Sequence, residues 1–332
     1  MGTGPFAVPS CQRLLESGHE IALVVVRPPV AATGKKIPLA PVQSWAEQAA
    51  LPIFHPPSIN AADALEQLRM AGAELFFVCD YGQILSRDCL SIPRLGGINL
   101  HGSLLPRHRG AAPVQWTLLS GDTQAGVSVI HMTPGLDAGP VLATRTVEIQ
   151  PDENAEELER RLSVLGCEAT VEAVEQLSDW NCAAPIGTIQ DKGQATKAPR
   201  LTKADGQLDF SLSAAELVRR VRGYQPWPGA YGELIFSPTK RLAIHVRAAR
   251  WLDSPQATSV QPVGKAWSAT PADLGLEGSL WSAPWDKLLV VQTGDGWLLI
   301  SGVQPAGKRL MLAGEFLRGH PLTPEAHFAL AK

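Results

Sequence analysis

The chain has 332 residues, 45 % hydrophobic and 18 % charged, with a formal net charge of −3. This is the composition of a folded chain long enough for two domains, and it excludes a surface that coats nucleic acid throughout, so any polyanion must be met by a local basic face. Five cysteines (Cys11, Cys79, Cys89, Cys167 and Cys182) at irregular spacing with no CxxC pair argue against a disulfide framework or a zinc site and fit a reducing cytoplasm.

No run of about 18 apolar residues occurs and no charged-then-apolar leader opens the chain, so a protein neither secreted nor membrane-spanning is expected. From Glu20 to about residue 150, β-rich runs alternate with helix-like segments, the pattern of a parallel sheet covered by helices. The runs are EIALVVV (20–26), LPIFH (51–55), ELFFVC (74–79), GINLH (97–101), GVSVIHM (126–132) and PVLATRTVEI (140–149). Between them PSCQRLLESG, PVQSWAEQAA, NAADALEQLRMAG and APVQWTLLSG read as helices, several closed by glycine.

A long amphipathic pattern at 153–177, with Leu158, Leu162 and Leu165 near one face, leads into a polar stretch. Beyond it GQLDF, YGELIF, LAIHVRAARWL, KLLVVQT and GWLLISGVQ read as short strands of a small barrel or sandwich. The expected division is α/β over 1–179, a linker at 180–207, and an all-β domain at 208–332.

Chemistry concentrates after the run GINLH. Alternate strand residues share a face, so Asn99 and His101 point the same way at a C-terminal strand end, where open α/β sheets bind ligands. Rigid, basic SLLPRHRGAAP follows, and Asp137 lies between Gly135 and Gly139 in a loop before the last strand of the domain. An amide to hold an oxyanion, an imidazole to move protons and a carboxylate to orient it suit acyl transfer. The same residues also fit a pair that only satisfies loop backbone groups. Ser103 lies in no G-x-S-x-G elbow, and His101, His108 and His131 match no metal-ligand spacing.

INLHGSLLPRHRGAAPVQW and GLDAGPVL resemble the formyltetrahydrofolate-dependent formyltransferase family. MGTGPFAVPS, ESGHEIALVV, YGQIL, PRLTKADGQLDF, RGYQPWPGAY, GDGWLLISGVQPAGKRLM and FLRG extend the resemblance in order along the chain. It implies a Rossmann-like N-terminal domain and a C-terminal β-barrel related to OB folds. It also implies formyl transfer from 10-formyltetrahydrofolate, without a metal, to the amino group of initiator methionyl-tRNA, by a cytoplasmic monomer. Asn99, His101 and Asp137 fall on the family's catalytic positions. Ser103, Leu104, Leu105 and Pro106, with Gly82, Gln83, Ile84 and Leu85, fall on its folate-contacting segments.

Three departures stand out. Family members begin with a short strand ahead of MGTP, whereas this sequence starts at Met1-Gly2-Thr3; a longer natural chain is expected, and neighbouring strands should be left with unpaired backbone groups. The loop at 27–41 carries Thr33 where relatives have arginine, leaving Lys35 and Lys36 to meet RNA. Asp80 replaces a small apolar residue beside the folate loop.

From Lys192 to Arg250 eleven Lys and Arg face four Asp and Glu, a net of about seven positive charges that suits phosphate binding. Lys197, Arg200, Lys203, Arg219 and Arg222 are the RNA-facing candidates. A formyltransferase for a small amine, a folate hydrolase and an inactive RNA-binding relative remain open. The C-terminal motifs weigh against the first two, and the retained Asn99, His101 and Asp137 against the last.

Overall fold

The longest helix shows how the apolar pattern becomes structure. In Ala155–Ser178, Leu158, Leu162, Ala169, Ala173 and Leu177 are all fully buried, spaced so that one face meets the core while the opposite face is polar apart from Val164. The computed structural model describes residues 1–29, 39–253, 261–276 and 287–329; Thr33, Lys35 and Lys36 lie outside them. Two compact units emerge. The first comprises Met1–Val114, Thr123–Ile149 and Glu157–Arg200, and the second Gln115–Asp122, Gln150–Glu156 and Leu201–Lys332.

Up to Arg200 the chain runs α1 (Val8–Glu16), β1 (Val24–Val25), α2 (Pro41–Gln48), β2 (Ile53–Phe54), α3 (Ala62–Met70), β3 (Phe76–Val78) and α4 (Arg87–Leu90). It continues with β4 (Gly97–His101), β5 (Arg109–Gly110), α5 (Pro113–Leu119), β6 (Gln124–His131), β7 (Val141–Glu148), α6 (Ala155–Ser178) and β8 (Lys197–Ala198). β1 and β2 pair in parallel, as do β3 and β4, whereas β4–β6 and β6–β7 are antiparallel. This is a Rossmann-like α/β sheet whose far edge reverses direction. Each expected run overlaps its strand, with β6 starting two residues early at Gln124, while 20–26 contracts to Val24–Val25 and 51–55 to Ile53–Phe54.

The opening residues pair on the other side of β1. Met1–Thr3 lies between β1 and β3: the Gly2 N–H donates to Val25 O, Cys79 N–H to Met1 O, and Thr3 N–H to Asp80 O. Gly2 is required there, because a Cβ would meet Cys79 O at 2.7 Å. The Met1 ammonium donates to Phe77 O at 2.7 Å, and burial pushes its pKa below the ordinary value. Three residues therefore stitch the two strands at their C-terminal ends. A groove of about 400 Å³ continues beside Met1, bordered by Glu20–Val25 on one side and Leu75–Phe77 on the other.

The second unit carries α7 (Ala214–Gly223), β9 (Ala230–Ser237), β10 (Lys240–Leu252), β11 (Ala266–Ala269), β12 (Leu288–Gln292), β13 (Trp297–Pro305), β14 (Met311–Leu312), α8 (Ala313–Gly319) and β15 (His327–Phe328). Its antiparallel sheet has the order β11-β12-β13-β10-β9-β15, with β14 on β13. Phe328 N–H donates to Gly264 O and Ala266 N–H to Ala326 O, so the two edges meet in a nearly closed barrel.

GQLDF, expected as a strand, forms only the Gln207–Tyr231 bridge. The Asp209 carboxylate accepts both the N–H and hydroxyl of Ser211, turning the chain before a ladder can extend. α7 starts at Ser213, whose hydroxyl accepts the Glu216 N–H, a cap three residues ahead of an acidic side chain in the first turn.

Candidate active site

β4 sets two functional side chains from one strand. Val78 of β3 pairs with Asn99 and Ser128 of β6 with His101, placing both at the C-terminal end of β4. The loop between β6 and β7 returns Asp137 to them. That loop is tight: Asp137 takes φ +47°, and a Cβ at Gly139 would stand 1.8 Å from His131 O.

The three residues meet at the Asp137 carboxylate, which is 8 % exposed. Asn99 Nδ2 donates to Oδ1 at 3.4 Å, Gly110 N–H donates to Oδ2 at 2.8 Å, and His101 Nδ1 lies 3.7 Å from Oδ2. The other ring nitrogen of His101 donates to His108 O at 2.9 Å. Both ring nitrogens thus face oxygens, which fixes the orientation of the ring. The carboxylate sits between an amide donor and an imidazole, as expected from the sequence.

A second layer comes from segments that sequence reasoning left as linker. β8 pairs with β5, and Gly110 is needed for that approach, since a Cβ would meet Ala198 O at 2.4 Å. Thr196 Oγ1 accepts the His108 N–H at 2.8 Å, and Gln190 bonds the backbone of Asp137 and Gly139. Gln190, Thr196 and His108 stand in no periodic pattern. The long-range β5–β8 pairing and the Val141–Thr188 bridge bring Gln190 and Thr196 to the site, beside His108 in the loop that follows β4.

The expected folate-contacting residues divide by environment. Ser103 is fully buried and its hydroxyl donates to Arg107 O at 2.7 Å, so it is spent on the turn. Ser128 Oγ bridges Ser103 O and the Leu105 N–H, fixing the SLLP segment, in which Leu104, Leu105 and Pro106 remain partly exposed. Gln83 accepts the Ile59 N–H at 2.8 Å, and its amide faces Pro56 O and Pro57 O. Leu85 is in the core, while Ile84 is 74 % exposed and Gly82 takes φ +76°. Gln83 and Leu85 therefore hold the loop's shape.

Asp80 has a structural account. Its carboxylate occupies the space a side chain at position 4 would need, 1.8 Å from an ideal Gly4 Cβ. Desolvation in that recess raises its pKa, while Arg27, Arg200 and the donating Gly4 N–H pull it down.

The basic stretch is largely committed. Arg220 pairs with Glu216 at 2.9 Å, Arg241 with Glu233 at 3.6 Å, and Arg250 with Asp152. Arg247 donates twice to Gln304, Lys240 lies over the Phe236 ring, and Arg222 donates to Gln150 O and Glu153 O. Arg219 lies beside Gly121, its Nε buried without a partner. Lys192, Lys197, Arg200 and Lys203 are exposed and make no ion pair among the described residues.

Comparison with known proteins shows the family. Residues 1–174 match the model for Formyl transferase and 200–321 that for Formyl transferase, C-terminal domain. Methionyl-tRNA formyltransferase of Rhodopirellula baltica is 45 % identical over 333 residues, covering 97 % of this chain and 93 % of the relative. The enzyme of the same name from Moorella thermoacetica is 37 % identical, covering 98 % and 96 %.

Among solved structures, the sugar 3N-formyl transferase WlaRD shares the fold at TM-score 0.59 with 14 % identity, covering 93 % of this chain and 97 % of that one. An N-formyltransferase from Helicobacter canadensis, solved with folinic acid and dTDP-3-aminofucose, does so at 0.58 and 13 %, covering 90 % and 96 %. With both of its regions matched in order and curated relatives aligned along nearly the whole length, the chain belongs to the formyl transferase family.

Proposed function

We infer that this protein transfers the formyl group of 10-formyltetrahydrofolate to the α-amino group of methionyl-tRNA, giving N-formylmethionyl-tRNA. Near-full-length similarity to curated methionyl-tRNA formyltransferases, including the C-terminal region, supports the acceptor over a small amine. The observation that carries the chemistry is the meeting of Asn99 and His101 on one buried carboxylate, Asp137.

In the reaction the amino nitrogen attacks the formyl carbon, and the carbonyl electrons move onto oxygen. The Asn99 amide donates to that oxyanion. The His101 ring, held between His108 O and the Asp137 carboxylate, lies beside the reacting groups, and a bridging water passes the amine's proton to N10 as the C–N10 bond breaks.

Leu104, Leu105, Pro106, Gly82 and Ile84 form the apolar contact for the folate, with Ser103, Gln83 and Leu85 shaping those loops. Lys197, Arg200 and Lys203 meet RNA phosphates together with Lys35 and Lys36, while Arg219 and Arg222 act by holding the fold. In this reading residues 1–179 carry the chemistry, 180–207 the linker and 208–332 the RNA grip, in a cytoplasmic enzyme working as a single chain.

The test is steady-state formylation of methionyl-tRNA by the wild type and Asn99→Ala. Loss of the oxyanion donor lowers kcat by about a hundredfold or more. A variant with wild-type kcat and intact folding removes Asn99 from the reaction.

A further inference from the structure

We propose that Gln190 is a positioning residue, which holds Asp137 in register with Asn99 and His101. The inference rests on the site assignment above. It goes beyond it by placing part of the active-site geometry in the segment that joins the two matched family regions.

Gln190 is 6 % exposed and every hydrogen-bonding position of its side chain is used. Nε2 donates to Asp137 O at 2.8 Å and to Gly139 O at 2.7 Å. Oε1 accepts from Arg109 Nε at 3.1 Å and from Arg109 Nη2 at 2.6 Å. One amide thereby ties the Asp137 loop to β5, whose Gly110 N–H holds the Asp137 carboxylate from the other side.

The backbone needs such a tie. Asp137 has φ +47° and His108 has φ +59°, left-handed conformations that Asp and His adopt more readily than most side-chain-bearing residues but still at a cost, which hydrogen bonds from the surroundings offset. Gln190 fixes the first and Thr196 the second, and His108 in turn offers its carbonyl to His101. The two left-handed residues that flank the imidazole are both secured by one segment, 190–196. Without the Gln190 amide, the Asp137 carbonyl loses its described tie to Arg109, and only the Gly110 N–H and the Asn99 amide are left to set the distance between the carboxylate and His101.

The experiment compares Gln190→Met, which keeps shape and loses all four bonds, with Asp137→Asn and with the double variant, in formylation of methionyl-tRNA. Misplacing a reacting group by about 1 Å costs up to about a hundredfold. The expected result is a kcat lowered at least about tenfold, with KM for both substrates within about twofold, and no further loss when Gln190→Met is added to Asp137→Asn. Multiplying losses in the double variant, or wild-type kcat in Gln190→Met beside an impaired Asp137→Asn, overturns the proposal. Wild-type turnover in Asp137→Asn instead overturns the site assignment, and this inference with it. Should Gln190→Met melt below the assay temperature, Gln190→Glu decides the matter: it keeps both bonds from Arg109 but turns an acceptor toward two carbonyls, and it must show the same loss confined to kcat.

Discussion

Replacing Asp137 by Asn removes one charge and reverses one hydrogen bond while leaving volume nearly unchanged. If the amide oxygen turns to keep the Gly110 N–H, now 2.8 Å from Oδ2, its NH2 faces the Asn99 amide, a donor against a donor. The larger effect is electrostatic. A full charge pair at the 3.7 Å separating His101 Nδ1 from Oδ2 interacts by about 4.5 kcal/mol at an effective dielectric of about 20. If that charge acts in the transition state, kcat falls by about a thousandfold at about 1.36 kcal/mol per decade. The assay is single-turnover formyl transfer to methionyl-tRNA with saturating folate donor, run beside a thermal melt. Because the substitution is isosteric, the melting temperature should stay within a few degrees. A rate within threefold of wild type, with the melt unchanged, would falsify the role given to the Asp137 charge.

Gly139→Ala tests the loop that delivers this carboxylate: the new Cβ would stand 1.8 Å from His131 O, a backbone atom that cannot step aside. Overpacking of this kind costs about 1–3 kcal/mol, a drop of several degrees in melting temperature, and an unchanged melt would contradict the close approach. In the barrel, burial first and then Arg247 and Lys203 push the His245 pKa below its ordinary value, and the ring's Nδ1 is buried without a partner. The unfolded chain therefore takes up a proton, as pH falls below about 6.5, that the folded ring resists, so the stability present above that pH is lost on acidification. His245→Gln should flatten the fall in urea midpoint between pH 7 and pH 5; an unaltered slope assigns it to other groups.

Much of the site was legible because its residues lie in short-range patterns. GINLH gives the alternation that turns Asn99 and His101 one way, and the glycines around Asp137 announce a tight loop before the structure shows one. The two-domain reading followed from the change of period after the long helix.

What the sequence hid is non-local. Gln190 and Thr196 sit in a polar stretch whose role depends on β8 pairing with β5 across some ninety intervening positions, and no local period marks such a pairing. α7 was missed although its cap is readable, since Ser213 and Glu216 stand at capping spacing ahead of Leu217, Val218 and Val221, all buried. Charge counting saw part of the pairing. It set eleven cations against the four carboxylates of the same stretch, whereas partners such as Asp152 and Gln304 lie far away in sequence.

That last point bears on how ionic strength controls the encounter with RNA. Counterion release makes log K fall with log salt by about 0.9 for each duplex phosphate neutralised. Were all eleven cations of the 192–250 stretch available, a rise from about 50 to about 200 mM salt would weaken binding by nearly a millionfold. If Lys192, Lys197, Arg200 and Lys203, exposed and without an ion pair among the described residues, are the members that meet phosphates, the stretch contributes a slope near four, and the same change costs on the order of a hundredfold. On that reading the cations already partnered in the second unit leave an electrostatic grip of moderate strength, one from which a bulky RNA product would dissociate at ordinary salt.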